Sequence, residues 1–257
     1  MNIIMDSDFF LLAIAVLPVV VLCWVVYRQD KIQPEPLGKL AKAFFFGALS
    51  IIPAFILEGI LSLFTPPIPI VSGAYTGFVV AGCSEELCKL LMLRWAIWKS
   101  REFDEYFDGI VYACFTSLGF ACFENIGYVF QQEMFTEAIA TGTVRAVLSV
   151  PGHFLFGVMM GYYFALAKFD QQNRAKHMFK AFFIPMLLHG TFDSLLMIPE
   201  SMPIGREVMG IVLFVVLVWF DVKMWKWGVR RIKRLQELSQ QQDADRSHPF
   251  DGFQWYF

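Results

Sequence analysis

Long apolar runs alternate with short polar connections along almost the whole chain. Each run is close to the roughly 20 residues that an α-helix needs to cross the hydrocarbon core of a bilayer. Seven runs are predicted to be transmembrane helices: 9–27, 43–64, 74–98, 108–130, 143–167, 181–198 and 207–225. The third run is the least regular, because Glu85, Glu86 and Lys89 interrupt it. The pattern predicts an all-α, polytopic transmembrane bundle.

The positions of Lys and Arg predict how this bundle is oriented. Of the 21 Lys and Arg residues, all but four lie in or beside alternate connections or the carboxyl-terminal tail. Such residues remain on the cytoplasmic side of a membrane. We therefore expect the amino terminus outside and the carboxyl terminus in the cytoplasm. Residues 1–226 are predicted to be the transmembrane domain, and 227–257 a basic and polar cytoplasmic tail.

The composition supports a membrane protein and excludes several other classes. Hydrophobic residues make up 57% of the 257 residues and charged residues 17%, against about 25% charged residues in a soluble domain. A soluble enzyme, a disordered chain and a nucleic-acid-binding protein are excluded. The lipid bilayer is therefore the expected partner, and no nucleic acid is expected. The five cysteines lie in apolar stretches and are predicted to be packing residues.

Ionisable side chains within the predicted spans are the main indication of function. Burying one costs about 2.5–3.5 kcal/mol for Asp, Lys or Arg on insertion scales. They are Glu58, Glu85, Glu86, Lys89, Glu124, Arg145, His153, His189 and Asp193. At a rise of about 1.5 Å per residue, several of these side chains fall in one layer near the outer half of the bilayer. We expect them to gather around one hydrated site, with Glu58 in a structural role.

The spacing of these residues permits several kinds of chemistry. His189 and Asp193 are four residues apart and share a helix face, as do Glu85 and Lys89. Imidazole and carboxylate ligands suit Zn²⁺, which would lower the pKa of a water whose proton a nearby Glu could take. Taken alone, the same residues also fit a proton- or ion-coupled transporter, or a scaffold whose polar residues hold helices together.

Four motifs on successive predicted spans resemble those of a known family. They are EExxK at 85–89, FxxxE at 120–124, the single His153, and HxxxD at 189–193. Asp30 followed by Pro34-Glu35-Pro36 adds to the likeness, which covers residues of about 27–195. The set resembles the PrsW family of bacterial intramembrane proteases, which belongs with the CAAX prenyl proteases in a superfamily of membrane metalloproteases.

This resemblance implies an intramembrane endopeptidase in the bacterial inner membrane, with 1–226 as its protease domain. The implied substrate is a single-pass membrane protein such as an anti-sigma factor, cut near the extracytoplasmic side as part of a stress signal. Glu85 would be the general base and Glu86 its auxiliary. The implied metal ligands, with Zn²⁺ as the metal, are Glu124, His153, His189 and Asp193. The implied supporting residues are Lys89, Asn125 and Arg145.

One departure from the wider superfamily leaves the cofactor open. The CAAX relatives usually have a histidine where this chain has Glu124. A metal-free mechanism, in which a pair of carboxylates activates water, therefore stays possible beside the zinc mechanism.

Overall fold

The computed structural model describes residues 2–247, with side chains from residue 7 onward, and this part of the chain is helical throughout apart from short connections. The last ten residues of the predicted tail, 248–257, lie outside the described part. The helices are α1 (Asn2–Gln29), α2 (Leu37–Leu49), α3 (Ile51–Ser62), α4 (Pro69–Tyr75), α5 (Ser84–Ile97), α6 (Asp108–Phe130), α7 (Phe135–Val147), α8 (Ser149–Phe169), α9 (Arg174–Ser201) and α10 (Arg206–Ser247). A π-helical segment, Thr76–Cys83, joins α4 to α5.

Six stretches of the described chain are long and apolar enough to cross a membrane. They are Ser7–Gln29, Leu37–Ser62, Asp108–Phe130, Phe135–Phe169, Arg174–Ser201 and Arg206–Ser247. Each contains most or all of one predicted run, which confirms the all-α membrane class. The third predicted run, 74–98, falls in the path formed by α4, the π-helical segment and α5, which is not among the six. The number of spans therefore stays a prediction.

Helices α6 and α8 form the centre of the bundle, and their residues are mostly buried. Gly109 and Gly161 let the two backbones touch. A Cβ atom added to Gly161 would lie 2.3 Å from the carbonyl oxygen of Gly109. Close approach at small residues is the usual way in which membrane helices gain packing energy, since lipid gives no hydrophobic drive between them. The contact sets the distance between the two helices that carry Glu124 and His153.

Helix α10 is much longer than a single membrane crossing requires. Its 42 residues would extend about 63 Å, against about 30 Å of hydrocarbon. It runs without a break through residue 226, where the predicted tail begins, and Ile232, Leu235 and Ser239 are buried. The first part of that tail is thus a helix that packs on one end of the bundle. The division into a transmembrane domain at 1–226 and a separate tail at 227–257 stays a prediction.

Candidate active site

The ammonium group of Lys89 lies at the centre of a buried polar cluster. Its Nζ atom donates to Glu85 Oε2 and Glu86 Oε1, both at 2.9 Å, and lies 3.1 Å from His153 Nδ1. The ring centroid of Phe120 is 4.1 Å from Nζ, close enough for the aromatic face to attract the cation. Lys89 and Glu86 are fully buried. The predicted pairing of Glu85 with Lys89 is confirmed.

Two histidines connect this group to the other central helices. His153 reaches Lys89 from α8, and His189 reaches Glu86 from α9, with Nδ1 2.9 Å from Oε1. His189 Nδ1 also lies 3.9 Å from Glu85 Oε2. The two imidazole centroids are 5.2 Å apart. The expected meeting of polar side chains from separate helices is therefore confirmed for α5, α8 and α9.

The second ring nitrogen of each histidine faces a carboxylate. His153 Nε2 lies 2.8 Å from Glu124 Oε2, and His189 Nε2 lies 3.3 Å from Asp193 Oδ2. A carboxylate behind an imidazole determines which nitrogen carries the proton and holds the ring in place. His189 and Asp193 share a helix face as their spacing predicted. Both rings thus direct Nδ1 toward α5 and Nε2 toward a separate carboxylate.

Of the predicted supporting residues, Arg145 contacts Glu124 directly and Asn125 holds Arg145. Arg145 Nη2 donates to Glu124 Oε2 at 2.7 Å, and Arg145 Nε donates to Asn125 Oδ1 at 2.9 Å. Asn125 Nδ2 in turn donates to the carbonyl oxygen of Ala15 at 2.7 Å. The Tyr128 ring stacks over the guanidinium group at 4.0 Å. These contacts link the cluster to α1 and α7, and they orient the carboxylate that faces His153.

The cluster contains more acidic than basic side chains. Its four hydrogen-bonded carboxylates are those of Glu85, Glu86, Glu124 and Asp193. Among its described residues the permanent cations are Lys89 and Arg145. Excess negative charge inside a membrane protein requires protons or a bound cation to be stable.

Two overlapping groups of side chains are candidates for holding a metal ion. Among the described residues, only the first brings its ligand atoms close together, and three of its members already contact the Lys89 ammonium group. Within the described residues, one set of four places its ligand atoms within 4.8 Å of one another: Glu85, Glu86, His153 and His189. The set predicted from the sequence lines one small cavity, together with Arg145: Glu124, His153, His189 and Asp193. That cavity of about 20 Å³ has room for about one water molecule. Imidazole and carboxylate donors are ligands that Zn²⁺ accepts, and the two histidines belong to both groups.

Local backbone features place these side chains. The π-helical segment ends immediately before Ser84, and π-helical turns are frequent at functional sites. Gly190, beside His189, lies against this segment, because an added Cβ would be 2.8 Å from the Cα atom of Phe78. The ring of Phe156 stacks on His189, with centroids 4.7 Å apart and planes 20° apart. A bulkier residue at 190 would push α9 and its histidine away from α5.

Two contacts of the cluster were not foreseen from the sequence. The motif FxxxE includes Phe120, but its packing against Lys89 was not foreseen. Ser117, whose hydroxyl donates to the carbonyl oxygen of His153 at 2.6 Å, resembles any small residue of an apolar helix. The only indication in the sequence was that Ser117 is a polar residue about one helical turn before Phe120 of the FxxxE motif. The structural role expected for Glu58 stays a prediction.

The Lys89→Met substitution should destabilise the protein strongly. It keeps most of the side-chain volume but leaves Glu85 and Glu86 without their buried cation, a loss that typically costs about 3–5 kcal/mol. The measurement is the thermal unfolding midpoint of the purified protein in detergent. Lys99→Met, on the exposed connection after α5, is the control and should leave the midpoint unchanged. Equal midpoints for the two variants would show that Lys89 is not the stabilising centre.

Comparison with known proteins identifies the same family that the motifs resemble. The model of the PrsW family of intramembrane metalloproteases matches residues 35–220. Protease PrsW of Clostridioides difficile (strain 630) is 37% identical, with 91% of this chain and 94% of the relative covered. Protease PrsW of Geobacillus kaustophilus (strain HTA426) is 32% identical (91% and 96% covered), and that of Bacillus subtilis (strain 168) is 28% identical (91% and 99% covered). No solved structure matches the chain significantly.

The matched region includes the whole polar cluster, from Glu85 on α5 to Asp193 on α9. The similarity extends over nearly the full length of the relatives, so it concerns the complete bundle and not one helix. With several helices able to cross a membrane, the protein is a multi-pass membrane peptidase. The chain belongs to the PrsW family of intramembrane metalloproteases.

Proposed function

We propose that this peptidase is an endopeptidase of the bacterial inner membrane that cuts single-pass membrane proteins near their extracytoplasmic side. The observation that carries the proposal is the buried cluster around Lys89, where carboxylates and imidazoles from separate helices meet. Groups this costly in a bilayer are expected to have a function. By family resemblance, the substrate class includes anti-sigma factors.

Glu85 is the residue that we assign as the general base. Lys89 and His189 each lie 2.9 Å from Glu86 and so hold it in place, whereas Glu85 has one close partner, Lys89. Glu85 would take a proton from the water that attacks the scissile carbonyl carbon. It would deliver that proton to the amine nitrogen as the C–N bond breaks. Glu86 would then be its auxiliary, which keeps Lys89 and His189 in position.

We propose Zn²⁺ as the cofactor. His153 and His189 would be ligands whether the other two ligands are Glu85 and Glu86 or Glu124 and Asp193. Glu124 and Asp193 would complete the set that lines the small cavity. When bound, zinc would supply Lewis acidity toward the water and the substrate carbonyl. Arg145 would keep Glu124 directed at His153 throughout. The alternative is a metal-free route in which the carboxylates alone activate the water.

We propose a topology of seven spans, with the path Pro69–Ile97 as the third. Contacts at the carboxyl-terminal end of this path support a crossing. Lys39 and Lys42, at the start of α2, donate to Ser100 Oγ at 3.1 Å and to the carbonyl oxygen of Ala96 at 3.0 Å. The chain therefore leaves this end of the bundle through α2 and α3 and returns to it through α5. Seven spans would put the termini on opposite sides of the membrane, and the Lys and Arg positions would put the amino terminus outside.

The function is tested with purified protein in liposomes and a single-span model substrate. The wild type should cut the substrate, and Glu85→Gln should slow cleavage at least 100-fold, since general bases contribute about 10²–10⁴ to the rate. Glu237→Gln makes the same charge change at an exposed position on α10 and should cut normally. Normal cleavage by Glu85→Gln would contradict the assignment, whereas ion flux without cleavage in the wild type would favour a transporter.

The metal is tested by elemental analysis of the purified protein. Wild-type protein should carry about one zinc per chain, and His153→Ala and His189→Ala should lose it. If Glu124→Gln and Asp193→Asn lose zinc and Glu86→Gln keeps it, the ligands are the set that lines the small cavity. If Glu86→Gln loses zinc and the other two keep it, the ligands are the set of Glu85, Glu86, His153 and His189. A chelator should stop cleavage and added Zn²⁺ should restore it. Full activity with no metal in any sample would establish the carboxylate-only route.

The topology is tested with single cysteines in a cysteine-free background. Gln33→Cys, between α1 and α2, should react with a membrane-impermeant thiol reagent only from the cytoplasmic side. Glu133→Cys, between α6 and α7, should react only from outside. Both positions are exposed. If Pro69–Ile97 did not cross the membrane, the two cysteines would be labelled from the same side.

A further inference from the structure

A second group of acidic side chains is buried at the end of the bundle where three parts of the chain meet. These parts are the connection between α1 and α2, the connection between α5 and α6, and the last third of α10. The acidic residues are Asp30, Glu35, Glu105 and Asp108, each at most 4% exposed. Asp30 and Glu35 belong to the motif after the first span, to which the proposed peptidase chemistry gives no role.

The existing hydrogen bonds leave much of this negative charge unmatched. Asp30 Oδ2 accepts from the backbone N–H of Glu35 at 3.1 Å, and Tyr112 donates its hydroxyl to Glu35. Asp108 Oδ2 accepts from the backbone N–H of Glu105 at 2.7 Å. Both carboxylate oxygens of Glu105, and Oδ1 of Asp30 and of Asp108, are buried without a partner. Buried polar atoms of this kind call for a water or an ion as partner.

Basic side chains of the described residues do not neutralise the group. None of its four carboxylates takes part in the ion pairs of this part of the chain. Arg246 is engaged with Asp104 at 3.1 Å, and Lys31 is exposed. Burial therefore raises the pKa of Glu105 to about 7 and that of Asp30 to about 6, since the charged form lacks a counter-ion.

A cavity is lined by two of the residues that have unpartnered oxygens, Asp30 and Glu105. Its volume is about 120 Å³, enough for several water molecules. Asp30 and Glu105 line it from two different connections, and the amide and hydroxyl side chains around it include Gln29, Gln236, Ser239 and Gln240. The walls therefore combine two carboxylates and the exposed Lys31 with neutral oxygen donors. The unpartnered Glu105, 1% exposed, is the observation that points to a ligand.

We propose that this cavity binds a hydrated Mg²⁺ ion through Glu105 and Asp30. Mg²⁺ is usually held by one or two carboxylates and keeps several of its waters, whereas Ca²⁺ takes six to eight direct oxygen ligands. Within the described chain, no three of these acidic side chains bring ligand atoms within 4.8 Å of one another. Two carboxylates lining a cavity with room for several waters fit a water-rich Mg²⁺ site. The ion would hold α10 against the end of α1 and the connection before α6.

The proposal is tested with full-length protein in detergent, using Mn²⁺ as a paramagnetic substitute for Mg²⁺. Loss of the free Mn²⁺ signal in electron paramagnetic resonance measures binding, and added Mg²⁺ should reverse it. Glu105→Gln and Asp30→Asn should each weaken Mn²⁺ binding at least tenfold. Glu102→Gln, three residues away and exposed, is the matched control and should bind as the wild type does. Binding should also persist in His189→Ala, which separates this site from the cluster around Lys89.

A second measurement locates the ion in the wild type, even where a variant fails to fold. Fe²⁺ bound in place of Mg²⁺, with ascorbate and peroxide, generates hydroxyl radicals that cut nearby backbone. Mass spectrometry should find cuts near residues 30, 105 and 239, and excess Mg²⁺ should suppress them. Mn²⁺ binding that is unchanged in Glu105→Gln and Asp30→Asn, or cuts only near the cluster around Lys89, would overturn the proposal.

Discussion

The structure depends on one constraint, which is that charges buried at membrane depth must neutralise each other within the protein. Lys89 meets this constraint for two carboxylates and also contacts the imidazole of His153. Its position on α5 determines where α8 and α9 must place their histidines. Arg145 serves Glu124 in the same way at the edge of the cluster. Loss of either cation would leave carboxylates in a medium that offers no water to solvate them.

Close helix packing is what makes such short contacts possible. Gly109 and Gly161 bring α6 and α8 into backbone contact, and Gly190 does the same for α9 and the π-helical segment. Side chains of ordinary length then reach across the interfaces, so that His153 meets Glu124 and His189 meets Glu86. Phe120 and Phe156 pack against Lys89 and His189 and exclude lipid from the polar groups. The residues that pack the helices together therefore also hold the charged side chains in contact.

The protein contains two acidic centres that differ in how their charge is balanced. The cluster around Lys89 has internal cations and two imidazoles, and a small cavity is beside it. The group at Glu105 has unpartnered oxygens, a larger cavity and no ion pair among the described residues. The first arrangement suits chemistry on a substrate, because its groups are held yet retain free acceptor positions. The group at Glu105 suits a bound ion that holds α10 against the connections beside α1 and α6.

The sequence by itself determined the properties that depend on neighbouring residues along the chain. Hydropathy predicted the membrane helices, and four-residue spacing predicted the pairs Glu85–Lys89 and His189–Asp193, because helix geometry is local. The tertiary structure decided which nitrogen of each histidine meets which carboxylate, and that Asn125 reaches Ala15. It also decided that α10 continues past residue 226. These features follow from the rotation and spacing of whole helices, which contacts between distant residues set.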